Sequence, residues 1–172
     1  MKFMQRALRF AVVLTLGVLV SSTSRAQSKD DIANQFFGTW RLISFSQRLA
    51  DGTIRQSPQT AGYLIYTDTN HVCYMNMDPY RPKWKSPAAP TESEMTSAFN
   101  GFGAYCGPFE IHGSEGFVLH HHQIDRAPNS VGTIAKRWFT FQGPNRLTLR
   151  IDAAELSPPV LESTLVWERV QK

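Results

Sequence analysis

The tripeptide Gly38-Thr39-Trp40 is answered near the far end of the chain by Trp167-Glu168-Arg169. A tryptophan opening the first strand can lie across the floor of a closed sheet, and an arginine on the last strand can stack its guanidinium on the indole, an attraction of roughly 0.5–2 kcal/mol. That pairing ties the two ends together and predicts a closed β-barrel. The segment between them agrees. Short runs of β-forming residues fall at 39–47, 61–67, 72–77, 104–111, 116–124, 134–141, 146–151 and 162–170. They are divided by turn signals such as Asp51-Gly52, Asp68-Thr69-Asn70, Gly143-Pro144-Asn145 and Pro158-Pro159. About eight short strands with so little helix read as an all-β, eight-stranded antiparallel barrel, which leaves room for one small ligand where a sandwich would fill its middle.

Two helical pieces are expected. Ile32-Ala33-Asn34-Gln35-Phe36-Phe37 can form a short helix or turn that plugs one end. Thr91, followed by Glu92 and Glu94, has N-cap character with acids in the first turn, so a helix through Ala98 and Phe99 precedes the fourth strand. Before it, Pro79, Pro82, Pro87 and Pro90 forbid regular strand. The aromatic residues there, Tyr80 and Trp84, with Arg81 and Phe99 beyond, can serve as a lid or as ordinary cover for the barrel end.

The first 26 residues read as a signal peptide: basic Lys2, Arg6 and Arg9, the apolar run from Phe10 to Val20, then Ser24-Arg25-Ala26 with a cut after Ala26. The apolar run is too short for a bilayer core, which needs ~20 helical residues. This leader holds four of the 18 basic residues (Lys2, Arg6, Arg9 and Arg25) and none of the 14 acidic ones, so residues 27–172 balance at 14 of each. The basicity of the whole chain therefore disappears, and with it the electrostatic drive toward nucleic acid or an anionic membrane. One domain over 27–172, periplasmic or secreted and without stable membrane insertion after cleavage, is the expected organisation. Cys73 and Cys106 are the only cysteines. In an oxidising compartment they either bridge or stay as two buried thiols.

Gly38-Thr39-Trp40-Arg41-Leu42, Gly62-Tyr63-Leu64-Ile65-Tyr66, Ala104-Tyr105 with Gly107, His120 to His122, Pro128-Asn129 with Gly132, Arg137, Leu147-Thr148-Leu149 and Leu165-Val166-Trp167-Glu168-Arg169 form an ordered set. Together they resemble the bacterial and fungal lipocalin-like domain family over nearly the whole of 27–172. The resemblance implies a barrel with a central cavity. Most bacterial members have no assigned activity, and some fungal relatives are linked to cyclisation or isomerisation of natural-product intermediates.

Candidate site residues follow from strand alternation. His120 and His122 share a face with Val118 and Ile124, where imidazoles could hydrogen-bond a ligand carbonyl or move a proton. Either Lys136 or Arg137 enters the barrel by alternation, and the resemblance favours Arg137, whose guanidinium would select a carboxylate or enolate. If instead structural, Arg137 would pair with Glu110. Tyr66 and Tyr74 can turn inward from a hairpin and donate to a ligand oxygen. No metal site is expected, because His120 and His122 have no third ligand at recognisable spacing, and no cofactor is expected either. Nucleophile elbows, phosphate loops and zinc motifs are absent from the sequence. The expected function is an exported monomer or dimer that binds a small hydrophobic molecule with a polar head through Tyr66, Tyr74, His120, His122 and Arg137. The alternative is a cyclase or isomerase using the same cavity.

Overall fold

The structure, a computed structural model, describes residues 29–57 and 61–171. The signal-peptide expectation lies outside the described residues. Helix α1 (Lys29–Phe36) is followed by β1 (Gly38–Leu49), β2 (Ile54–Ser57), β3 (Ala61–Tyr66) and β4 (His71–Met77). Helix α2 (Glu92–Asn100) leads into β5 (Phe102–His112), β6 (Phe117–His121), β7 (Ile124–Asp125), β8 (Ile134–Phe141), β9 (Arg146–Asp152) and β10 (Val160–Arg169). Eight strands close a barrel in the antiparallel order β1-β3-β4-β5-β6-β8-β9-β10, with β10 returning to β1. The two others are extensions: β2 continues the β3 side of β1, and β7 pairs only with β5.

The predicted seam is where the barrel closes. Trp40 lies opposite Arg169 in the β1–β10 register, and the Arg169 guanidinium stacks 4.1 Å from the indole centroid. Arg169 also donates to the carbonyls of Gln35, Phe37 and Pro144, which fastens the end of α1 and the β8–β9 turn beneath the last strand. Gly38 permits this approach: its φ is +122°, and a Cβ there would sit 2.9 Å from the guanidinium. Trp40 Nε1–H donates to the Phe36 carbonyl at 2.8 Å, so helix and floor are one unit.

Alternation sets the two faces. Leu64, Tyr66, Val72, Phe109, Val118, Leu147, Leu149, Leu165 and Trp167 point inward into one apolar core. Cys73 and Cys106 lie opposite each other on β4 and β5 and are joined as a disulfide. The inward neighbours Tyr74 and Tyr105 are held in the same register, with rings stacked at 5.1 Å.

One expected strand is broken. Residues 116–124 do not run on as a single strand; β6 ends at His121 and the chain folds back over β5. A Cβ at Gly107 would lie 1.8 Å from the His121 carbonyl oxygen, so only glycine lets the two backbones cross there. Ile124, expected on the face of His120, is consequently 70% exposed.

At the other end α2 is capped as expected. Thr91 and Glu94 form a reciprocal capping box, but α2 buries no residue. Arg81 fixes its end to the barrel rim through the Ala98 carbonyl at 2.9 Å. Tyr80, Trp84 and Phe99 are exposed. A groove of about 610 Å³ runs outside the barrel between the proline-rich segment and α2, away from the interior polar groups.

Candidate functional site

The interior is divided into layers. Near the floor, Phe36 meets Tyr66, Phe139 and Phe141 edge-on at 4.9 to 5.0 Å, and Phe109 meets Tyr66 at 5.0 Å. This layer is filled, so the hollow expected from the sequence does not extend through the barrel. Above it a cavity of about 90 Å³ is lined by Tyr74, Tyr105, Arg137, Leu149, Ile151, Leu165 and Trp167. A dry cavity of ~150 Å³ takes benzene, so this one takes a head group of a few heavy atoms.

Of the five residues singled out from sequence, Tyr74 and Arg137 line the cavity. Tyr66, His120 and His122 stand behind the wall. His120 is fully buried between two phenols, with Nε2 at 2.7 Å from the Tyr66 hydroxyl and Nδ1 at 2.7 Å from the Tyr105 hydroxyl. Burial, with Arg137 and the neighbouring histidines adding to it, holds its pKa well below the ordinary range, so the ring is neutral. His122 stacks on the Tyr105 ring at 3.9 Å and bonds Asp125 through Nδ1 at 2.7 Å. Burial lowers its pKa too, although the Asp125 carboxylate opposes the shift. A neutral His122 then donates Nδ1–H to Asp125 and leaves Nε2 as a lone pair, which has no partner among the described residues.

Arg137 turns inward on β8, with Lys136 outward between the rings of Phe117 and Trp138 at 4.0 and 4.1 Å. Its side chain is 12% exposed and pairs with Glu155 at 2.7 Å. The partner is therefore Glu155, not Glu110. Glu110 points outward on β5 and faces His121 at 2.8 Å. Glu155 reaches Arg137 because the short 3₁₀ turn after β9 (Ala153–Glu155) folds over the rim, where its other oxygen accepts the Lys136 backbone N–H at 2.9 Å. With that carboxylate beside it, the guanidinium is not an open bidentate clamp.

Two lining residues that carry a polar group were not singled out as site residues beforehand. Tyr105 sits beside Arg137, which lowers its pKa against the larger raising effect of burial. Its signal was available, since alternation along β5 gives it the same inward face as Phe109. Trp167 is fully buried, yet its Nε1–H has no acceptor among the described residues. Nothing in the sequence separated it from Trp40, whose indole N–H is satisfied.

The barrel closes, its floor carries a Trp–Arg seam, and its upper interior holds a small cavity with polar groups on the wall. No curated protein matches the chain. Residues 37–170 match the lipocalin-like domain family, a span from just before β1 to just past β10. The chain belongs to the lipocalin-like domain family, whose barrels suit small-molecule binding in general.

Proposed function

We propose that this protein is exported and binds a small, largely apolar molecule whose polar end seats in the upper cavity. Tyr74 and Arg137, with Tyr105 and Trp167, contact the polar end, and Leu149, Ile151 and Leu165 contact the adjoining carbon atoms. Tyr66, His120 and His122 act from behind, fixing the Tyr105 ring and hydroxyl. The observation that carries this reading is the interior cavity itself, where the Tyr74 and Tyr105 phenols and the Arg137 guanidinium stand on one wall among Leu149, Ile151, Leu165 and Trp167.

Export rests on the leader pattern and on the Cys73–Cys106 bridge, which persists in an oxidising compartment. Binding is favoured over catalysis because His122, the one of the two interior imidazoles His120 and His122 with an unpartnered ring nitrogen, lies behind Tyr105 and does not line the cavity. Native mass spectrometry of protein collected from the periplasm of its own producer tests both parts. The expected species starts at Gln27 and carries a small non-covalent adduct that an Arg137→Ala variant loses. A chain retaining the leader overturns export, and adduct-free protein that also takes up no added apolar carbonyl compound overturns binding.

A further inference from the structure

The proton count around His120 decides what the cavity presents. The neutral ring has one N–H, and it lies between two phenol hydroxyls at 2.7 Å on either side. Two of these three protons fill the two contacts, and one tyrosine O–H remains. Were it that of Tyr66, the proton would be buried beside Phe36 and Phe109 with no other described partner. An orphaned buried donor costs more than an idle lone pair. Tyr66 therefore donates to Nε2, and Nδ1–H donates to the Tyr105 oxygen. With its oxygen already accepting from Nδ1–H, the Tyr105 O–H is free to point into the cavity that this ring lines.

No cation is left unspent here. Arg137 is paired with Glu155, Asp125 bonds a neutral His122, and His120 is neutral. A buried carboxylate would find no unspent cation and would face Glu155 across the guanidinium. We propose that the group read by this cavity is an uncharged carbonyl oxygen, of a ketone, ester or lactone, accepting from the Tyr105 O–H. This rests on the binding reading above and names the chemical class of its ligand.

The test compares four probes of matched length: benzylacetone, the alcohol from its reduction, butylbenzene, and hydrocinnamate, in which a carboxylate replaces the acetyl group, each titrated into the protein by calorimetry. Benzylacetone should bind about tenfold tighter than each of the others, since the alcohol's own O–H meets no acceptor and hydrocinnamate buries a charge. In infrared spectra its carbonyl stretch should move to lower wavenumber on binding. Tyr105→Phe should weaken benzylacetone about fivefold and leave butylbenzene unchanged. Equal binding of butylbenzene, or an unshifted carbonyl band, would overturn the carbonyl assignment while leaving a small-molecule site. Tightest binding by hydrocinnamate would overturn it in favour of an anion site. If no probe binds, the cavity reading falls with it.

Discussion

Two buried side chains show how a single residue can govern this barrel. His120 must stay neutral to fit between Tyr66 and Tyr105, whereas in the unfolded chain it titrates near an ordinary pKa of about 6.5. Its folded pKa is depressed, so the unfolded state binds more protons as the pH falls below about 6.5, and the folded state loses stability there. His122, also depressed, adds to the effect. Urea midpoints measured between pH 8 and pH 5 should therefore fall, by up to about 1.4 kcal/mol per pH unit for each proton taken up. His120→Gln should flatten that slope while lowering stability at neutral pH. Trp40 is the second case. Trp40→Ala removes a fully buried indole, its bond to the Phe36 carbonyl and the seat of Arg169, and should cost about 3–5 kcal/mol by chemical denaturation.

Among the elements, the β4–β5 pair is the one braced covalently. Cys73 and Cys106 are 33 residues apart, and closing a loop of that length restricts the unfolded chain by about 3.8 kcal/mol in the chain-entropy description. The bridge spans the loop that holds the proline-rich segment and α2, which bury little and contribute little of their own. Reduction, or a Cys73→Ala/Cys106→Ala double variant, should lower stability by about 2–4 kcal/mol in denaturant titrations. It should also loosen the Tyr74–Tyr105 stack, which sits on the inner side of the same register. The break between β6 and β7 is the contrasting element. Alternation through His120 and His122 predicted one continuous strand, and it gave the right burial for both histidines by the wrong path. The chain turns back at Gly107, a crossing that depends on a backbone contact from another strand.

For the whole molecule, closure is concentrated at the Arg169 seam. Arg169→Ala would remove the stacking on Trp40 and the donors to Gln35, Phe37 and Pro144 together. It should cost at least ~2 kcal/mol and should speed amide exchange across β1 and β10 ahead of the other strands. The β-rich segments, the capped helix, the seam and the inward face of Tyr66 and Tyr74 were legible in the chain, because period-two alternation, turn chemistry and capping are local properties. The floor packing, the Glu155 partner of Arg137 and the membership of Tyr105 and Trp167 in the cavity were not. Sequence by itself determined that a barrel would form and which side chains share a face along each strand. Tertiary structure alone decided at what height each one lies and how much space is left between them, since a cavity is the small difference between the volume the strands enclose and the volume of side chains brought from distant parts of the chain.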